Sequence, residues 1–373
     1  MDFKRFKLAV LQCADTGPME SLAIMLRSVG IASALPSQAL QAWMRKAGAD
    51  TVLDNADLVR GMGYEPPLAS LGLQSAGMAD LAREDCLLVD VKAHRNLGRY
   101  VRLVPSLAYR TLWYRINGGM PEVVKGCGDE VDPPCPVLTP NQWYGLNHLP
   151  YTGLDLMGTA AKPAPWAGRA YCCWPPYARL ADHVGARRGS WADPKKDSWV
   201  WTTWGPPLCL VHNASAWGCR DLIDAARAQL GVRVYGAGSP DGLLPHTHCL
   251  VRLDAALAMV HLKTSDAPGY ALYEAAASGC PMIVPRALIW KCRMREFLEE
   301  GVTCLCFGRE SHDHPDVEEC LAEIKEHLDA LARPERNAEI GRAARNRLER
   351  ICWSDQNPKD VSSLRKFLKE QYS

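Results

Sequence analysis

Short apolar runs alternate with amphipathic stretches along much of the chain. Residues 7–12 form an apolar run that predicts a buried strand, and a turn at residues 14–18 leads into a helical pattern over residues 19–29. Gly30 is expected to end that helix, and residues 31–35 then predict a second short strand. Because strands that alternate with crossover helices are typical of a parallel sheet, the N-terminal half is predicted to be an α/β domain.

The same alternation resumes after residue 207 and predicts a second α/β domain. The intervening stretch is rich in proline and tryptophan and is predicted to be a long loop and linker over residues 161–204. We therefore expect a first domain over residues 1–204, a second over residues 205–350 and a C-terminal helical segment over residues 351–373. Further strands of the first domain are predicted at residues 86–91, 111–116 and 137–138. The elements predicted for the second domain are strands at residues 208–212, 232–235, 282–284 and 303–307, an apolar segment at 255–262, and helices at 218–230, 270–278, 294–300 and 317–332.

Composition places the chain among soluble globular proteins. Of its 373 residues 47% are hydrophobic and 23% charged, which argues against a disordered or collagen-like protein. The net charge of +1 identifies no partner. The 15 cysteines are scattered, so we expect reduced thiols rather than a disulfide framework. The apolar run near the N-terminus is too short for a secretory leader and no segment is long enough to span a membrane, so the sequence predicts a cytoplasmic protein.

Residues 265–285 carry the most informative pattern. They predict a strand end, a glycine-containing turn, a short helix, a glycine stop and another apolar strand. Asp266 would lie in the loop before the helix and Glu274 about one turn inside it. The N-terminus of a helix favours phosphate, and carboxylates accept hydrogen bonds from sugar hydroxyls, so a ligand with both groups fits this pattern. The alternative is an ordinary helix cap and a solvated glutamate.

These residues resemble the signature of the retaining GT-B glycosyltransferases. The signature has an acidic residue, a Gly-aromatic turn and a Glu eight positions after the acid, which Asp266, Gly269-Tyr270 and Glu274 match; residues 300–306 and 352–355 resemble two later stretches of the family. The resemblance covers residues 208–372 and, in the first half, only the opening strand, turn and helix. It implies an α/β GT-B fold of two Rossmann-like domains that face each other across a cleft, with a C-terminal helix that crosses back to the first domain.

The resemblance also implies a role for each matched residue. Asp266 would be the catalytic residue that faces the donor sugar, and Glu274 would bind the ribose of the nucleotide. The backbone of Gly269 and Tyr270 would bind the donor phosphates. Gly17, in the first turn, would lie near donor and acceptor.

The chain departs from the family at the phosphate clamp. The family has an Arg and a Lys after the first strand of the second domain, and the comparable positions here hold His212 and Trp217. We take His212 and Lys263 as candidate donor-binding residues, and His94 and His148 as candidate acceptor-side bases. The residues that could supply the missing positive charge are Arg220, Lys263, Arg286, Lys291 and Arg293.

The family mechanism needs no protein nucleophile, because the leaving phosphate accepts the proton of the acceptor. It implies that no essential metal or other cofactor is required, and that the nucleotide sugar, most often a UDP-hexose, is the co-substrate. No metal site is predicted from the local histidines and cysteines, since their spacing matches no zinc motif. These residues are Cys209, His212, Cys219, His246, His248 and Cys249.

The acceptor is the least constrained part of the prediction. Tryptophans alternate with Lys and Arg between residues 161 and 217, and such a segment either holds a polymer such as double-stranded DNA or packs between domains. Four arginines with the spacing of one helix face would extend that surface or be solvated: Arg342, Arg345, Arg347 and Arg350. Residues 114–122 and 139–144 resemble phage glycosyltransferases that act on hydroxymethylated pyrimidines in DNA. The location would then be the host cytoplasm.

Three functions therefore stay open. The first is hexosyl transfer from a UDP-sugar with retention, to a 5-hydroxymethylpyrimidine in DNA or to a glycan, lipid or small molecule. The second is a nucleotide-sugar epimerase, and the third is a catalytically silent module that binds a sugar or nucleic acid. The sequence leaves the oligomeric state open.

Overall fold

The chain divides into two compact units, each built on its own sheet. The first unit comprises Met1–Ala178 and Cys352–Ser373, and the second comprises Arg179–Ile351. The predicted boundary after residue 204 stays a prediction, because residues 179–203 lie outside the described part of the chain. The structure, a computed structural model, describes residues 5–13, 16–47, 73–91, 100, 103–114, 136–139, 170–172, 204–213, 220–244, 246–262, 270–291, 297–310, 316–352 and 358–372.

The first unit contains a parallel sheet of seven strands in the order β3-β2-β1-β4-β5-β6-β7. The strands are β1 (Leu8–Cys13), β2 (Ala32–Pro36), β3 (Gln74–Ala76), β4 (Cys86–Val91), β5 (Thr111–Tyr114), β6 (Val137–Thr139) and β7 (Ala170–Cys172). The described helices are α1 (Thr16–Ser28), α2 (Gln38–Lys46), α3 (Met78–Leu81), a 3-10 helix (Pro105–Tyr109) and the C-terminal α10 (Pro358–Tyr372).

The centre of this sheet explains why its strands are the easiest to predict. Residues 8–11 of β1 and residues 86–89 of β4 are buried without interruption, as expected of strands covered on both faces. Gly30 has a φ of 91°, and the Gly30 and Ile31 amides donate to the carbonyls of Arg27 and Leu26. This glycine stop ends α1 where the sequence predicts.

The C-terminal helix α10 packs on the first unit. The Tyr372 hydroxyl donates to the carbonyl oxygen of Thr111 at 2.6 Å, and the Tyr372 ring packs edge-on against Phe6 with centroids 5.0 Å apart. The buried face of α10 consists of Leu364, Phe367 and Leu368. The chain therefore returns to the first unit at its end, as predicted from the family resemblance.

The second unit contains a parallel sheet of five strands in the order β12-β11-β10-β8-β9. The strands are β8 (Leu208–Asn213), β9 (Arg233–Ala237), β10 (Met259–Val260), β11 (Met282–Pro285) and β12 (Leu305–Phe307). The helices are α4 (Arg220–Leu230), α5 (His246–Ala255), α6 (Tyr270–Ser278), α7 (Arg286–Lys291), α8 (Val317–Leu331) and α9 (Pro334–Ile351). Two parallel sheets in two α/β units confirm the predicted fold class.

Three of the predicted elements need correction. Helix α1 starts at Thr16, so Gly17 lies in the first turn of the helix; Pro18 is tolerated there because its missing N–H would have no intrahelical partner. The helix predicted at residues 294–300 is wrong for its described part, since residues 297–300 are not helical. There the Thr303 hydroxyl accepts from the Glu299 amide at 2.7 Å in a tight turn. Within the predicted loop 161–204, residues 170–172 form β7.

Candidate functional site

The strand order of the second sheet identifies the edge at which a ligand would bind. Strands β8 and β10 are neighbours in the sheet. The chain runs from β8 to β9 on one side and from β10 to β11 on the other, so the connections that follow β8 and β10 lead in opposite directions. In open parallel sheets, ligands bind outside the carboxyl ends of the strands at this switch point. The connection after β8 leads to α4, and the connection after β10 leads to α6, so both helices begin at this edge.

Helix α6, which begins at this edge, carries the carboxylate of Glu274. Tyr270 is its first residue and Glu274 lies one turn further in. The free backbone N–H groups and the positive dipole end of such a helix attract an anion. Glu274 is half-buried, and its backbone carbonyl accepts a hydrogen bond from the Ser278 hydroxyl at 2.9 Å.

The neighbouring helix α5 bounds one side of Glu274. Burial raises the pKa of the Cys249 thiol to about 12, with a smaller contribution from the negative charge of Glu274. Cys249 is therefore a neutral thiol at physiological pH and stays near the Glu274 carboxylate. Its Sγ lies 3.9 Å from the carbonyl oxygen of Leu244.

The other predicted site residues divide between the described and the undescribed parts of the chain. His212 lies in β8, one residue before its carboxyl end, beside a register shift between Leu210 and Asn213. Gly17 lies in the first turn of α1, which follows β1. Five predicted site residues lie outside the described part of the chain: Asp266, Gly269, Lys263, His94 and His148.

The structure separates the candidate cations. The Arg286 guanidinium pairs with Glu300 at 3.0 Å and with Glu323 at 3.7 Å, and it also donates to the carbonyl oxygen of Gly308. These contacts hold the end of β11 to the end of β12, so Arg286 has a structural role. Arg220 is the first residue of α4, its side chain is 80% exposed, and its contact with Asp224 is a long 3.7 Å. Lys291 ends α7, and Arg293 lies outside the described residues.

The arginines of α9 do not form one basic surface. Arg345 is buried, donates to the carbonyl oxygen of Ala277 and pairs with Glu349 at 2.7 Å. Arg347 pairs with Glu299 at 2.6 Å. Two of the four positive charges therefore serve contacts within the second unit, and the interpretation of this helix as an extension of a DNA-binding surface is not supported.

Two features of the second unit were missed by sequence reasoning. The Asp241 carboxylate accepts a hydrogen bond from the Val234 amide at 2.8 Å and contacts Arg227 and Arg233. The glycine-rich loop at residues 236–242, which contains Asp241, therefore folds back along the edge strand β9. The contact between Arg345 and Ala277 joins residues 68 positions apart. Only the run of glycines at residues 236–242 hints at the loop, and no local signal indicates the arginine contact.

The described residues show no further group that suggests a bound metal or a disulfide. Among them, no three His, Cys, Asp or Glu side chains are arranged to hold a metal ion. None of the cysteines whose side chains are described forms a disulfide. In the same part of the chain, no helix is both long and apolar enough to cross a membrane.

Comparison with protein families gives a match that falls almost entirely within the second unit. Residues 216–352 match the family model described as "Glycosyl transferase-like". This match contains β9 to β12 and all of α6, and it includes Glu274. No curated protein matches the sequence.

Comparison with solved structures supports the fold of the whole chain. Os79 from O. sativa, solved in complex with UDP, has a TM-score of 0.50 at 13% identity, covering 98% of this chain and 100% of that one. A variant of TarM from S. aureus, in complex with Fondaparinux, alpha-GlcNAc-glycerol and UDP, has a TM-score of 0.46 at 12% identity, covering 78% of this chain and 56% of that one. The pneumococcal O-GlcNAc transferase GtfA, in complex with UDP and GlcNAc, has a TM-score of 0.46 at 13% identity, covering 77% and 57%.

The chain spans a little over half the length of the TarM and GtfA chains it matches. The similarity to Os79 extends over both units and shows a shared fold, GT-B.

Proposed function

We propose that the protein transfers a hexose from a nucleotide sugar, with UDP as the carrier, to an acceptor hydroxyl with retention of configuration. The observation that carries this proposal is the position of Glu274. It is the middle residue of α6, the helix that follows β10 at the switch point of the second sheet. The UDP in the Os79 complex supports the choice of carrier for a chain of this fold.

In this proposal, α6 binds the two polar parts of the donor. The diphosphate lies at the N-terminus of the helix, where the amide of Tyr270 and the positive dipole end favour negative charge. The ribose hydroxyls donate to the Glu274 carboxylate. Hydrogen bonds to a charged acceptor contribute about 1.5–3 kcal/mol each, so Glu274 would supply a large share of donor affinity.

Arg220 is our proposal for the cation that balances the diphosphate. It opens α4 at the same edge as α6, and its exposed pair with Asp224 is worth little. Arg286 is excluded from this role by its contacts with Glu300 and Glu323. Lys263, next to the end of β10 in sequence, is the second candidate, and His212 would lie close to the same phosphates.

The proposed reaction breaks the bond between the anomeric carbon and the phosphate oxygen and forms a bond from that carbon to the acceptor oxygen. The acceptor proton passes to the leaving phosphate on the same face of the sugar. Asp266, with Gly269 in the loop between β10 and α6, would orient the sugar hydroxyls. Positioning and stabilisation of the leaving diphosphate would supply most of the rate enhancement, with no metal required.

For the acceptor we propose a 5-hydroxymethylpyrimidine in double-stranded DNA. The support is the resemblance of residues 114–122 and 139–144 to phage enzymes of this type, together with the tryptophans and basic residues between positions 161 and 217. Gly17 at the start of α1, His94 and His148 are the proposed acceptor-side residues. The described residues of α9 give no additional support to a DNA acceptor.

The test is an assay for released nucleoside diphosphate with UDP, GDP and ADP sugars, in the presence of hydroxymethylated or plain DNA. We expect release with a UDP-sugar and a loss of at least tenfold in Glu274→Ala, because one charged hydrogen-bond acceptor is removed. Glu326→Ala, which changes an exposed carboxylate of α8, is the matched control and should keep full activity.

Each pattern of release separates the open functions. Release that needs hydroxymethylated DNA supports the full proposal, and release with donor alone supports the transferase but directs the search to another acceptor. Binding of a nucleotide sugar with no release from any donor would contradict the transferase and favour the silent binding module. A sugar nucleotide of altered stereochemistry as the sole product would identify an epimerase.

A further inference from the structure

Two carbonyls at the C-terminal end of α6 are capped by the backbone that follows the helix. Gly279 has a φ of 73°, its amide donates to Ala276 at 2.9 Å, and the Cys280 amide donates to Ala275 at 2.8 Å. This is the Schellman arrangement, which satisfies two of the carbonyls of the last turn. The Ala277 carbonyl takes part in neither bond and therefore needs a donor from outside the helix.

Arg345 of α9 supplies that donor. Its guanidinium is buried, its Nη1 donates to the Ala277 carbonyl, and its Nε donates to Glu349 at 2.7 Å. A positive charge at this position also interacts favourably with the negative dipole end of α6. Because a buried charge is costly unless it is paired, the position of Arg345 is tied to both of its partners.

The backbone of α9 also touches the end of α6. A Cβ added at Gly341 would lie 2.0 Å from the carbonyl oxygen of Gly279, so only glycine fits there. Nearer the start of α9, the side-chain amide of Asn337 donates to the carbonyl oxygen of Leu257, just before β10, at 2.9 Å. Helix α9 thus contacts both α6 and the chain leading into β10, the two elements on either side of the proposed donor loop.

We infer that Arg345 is a positioning residue for the nucleotide donor. It fixes the C-terminal end of α6 against α9, and α6 has only nine residues, so a shift at that end also moves Glu274, its middle residue. A displacement of a binding group by a fraction of an ångström weakens a hydrogen bond markedly. This inference rests on the proposed function, since it assigns Glu274 to the donor.

The test is a double-mutant cycle on UDP affinity, measured by calorimetry on the full chain below the unfolding temperature of every variant. Arg345→Gln is expected to weaken UDP binding about tenfold when Glu274 is present, and by less than twofold in the Glu274→Ala background. A loss confined to the Glu274 background is a readout that general destabilisation would not produce. If Arg345→Gln does not fold, Arg345→Lys enters the same cycle, with an expected loss of about threefold that also vanishes without Glu274.

Two variants of the same helix serve as matched controls. Arg347→Gln breaks the pair with Glu299 and is expected to lower the unfolding temperature without changing UDP affinity. Arg350→Gln changes an exposed arginine and should alter neither quantity.

The inference is overturned if the Arg345 variants bind UDP as tightly as the unmodified protein, or if they weaken binding equally with and without Glu274. Failure of the proposed function has a different signature. In that case the unmodified protein binds none of UDP, GDP and ADP.

Discussion

At the scale of single residues, Asp241 shows how one carboxylate protects an exposed sheet edge. Strand β9 is an edge strand, and the Asp241 carboxylate accepts the hydrogen bond of its Val234 amide, which would otherwise be open to another strand. Burial alone would raise the pKa of Asp241, but the hydrogen bonds from Val234, Arg227 and Arg233 outweigh it and hold the pKa below its ordinary value.

This lowered pKa gives the stability a defined pH dependence. The ionised carboxylate stabilises the fold at pH values above the pKa of the unfolded chain, near 4, and its contribution is lost as the pH falls through the lower pKa of the folded state. Asp241→Asn should therefore lower the free energy of unfolding at pH 7. The expected loss is only about 1 kcal/mol, because the Arg partners are half-exposed and their pairs with Asp241 contribute little.

Urea unfolding of both proteins at pH 7 and at pH 3 measures this effect. The difference between them should shrink at pH 3, which lies below the ordinary pKa of an aspartate, near 4, so that the unfolded chain is largely protonated there. A difference that is equal at both pH values, or larger at pH 3, would show that the charge of Asp241 does not stabilise the loop.

Arg110 is a second buried charge, and its role is structural. Its guanidinium is buried, and Nη1 donates to the carbonyl oxygens of Leu81, Arg83 and Cys86 at 3.2, 2.6 and 2.8 Å. Desolvation lowers its pKa, yet a guanidinium stays charged at any physiological pH. These carbonyls lie at the amino end of β4, away from the carboxyl edge where ligands bind, so Arg110 joins α3 to the sheet rather than binding an acceptor.

At the scale of elements, the close contact between α9 and α6 depends on Gly341. An alanine in an exposed helix position is favoured over glycine by about 1 kcal/mol, but here its Cβ would meet the Gly279 carbonyl. Gly341→Ala should therefore lower the free energy of unfolding by about 1–3 kcal/mol, because the two helices must move apart.

The matched control is Asn346→Ala, an exposed position on the same helix, which should be neutral or slightly stabilising. Thermal or denaturant unfolding of both variants makes the comparison. If Gly341→Ala instead raised the free energy of unfolding by about 1 kcal/mol, as helix propensity alone would predict, the two helices would not be in contact.

The elements that the sequence predicts correctly are those whose ends are marked by nearby residues. Helix α6 has the predicted bounds because Gly279 ends it and Pro268-Gly269 precede it in sequence, and both act within a few residues. Helix α7 was missed because it follows β11 directly, with no loop between Pro285 and Arg286 to mark its start. The helix predicted up to residue 300 failed where Gly301, with a φ of 78°, allows a tight turn.

The candidate site is predicted from one stretch of chain. This stretch contains Asp266, Tyr270 and Glu274, whose spacing is visible in the sequence, and their roles stay predictions. The contact of Arg345 with Ala277 and the pairing of Arg286 with Glu300 and Glu323 arise from packing between distant segments. No periodicity records such contacts, which is why the sequence left the role of these arginines open.

At the scale of the whole molecule, the chain leaves the first unit and returns to it at α10. This assignment predicts which part of the protein loses stability when α10 is damaged. Leu368 is fully buried, so Leu368→Ala should cost about 2–5 kcal/mol. The effect should fall on the same unfolding transition as Leu88→Ala in β4, and not on the transition lowered by Ile324→Ala in α8.

Calorimetry in the presence and absence of the best donor nucleotide separates the two transitions, because the ligand stabilises only the unit that binds it. If Leu368→Ala lowered the transition that Ile324→Ala lowers, while leaving the Leu88→Ala transition unchanged, α10 would belong to the second unit.

We expect the second unit to bind a nucleotide donor where α6 begins. Hydrogen–deuterium exchange of the full chain with UDP, GDP and ADP in turn tests this expectation. With the nucleotide that binds, protection should increase in peptides spanning residues 208–220 and 260–278, which include the carboxyl ends of β8 and β10. Protection confined to peptides before these strands, or to the first unit, would contradict it.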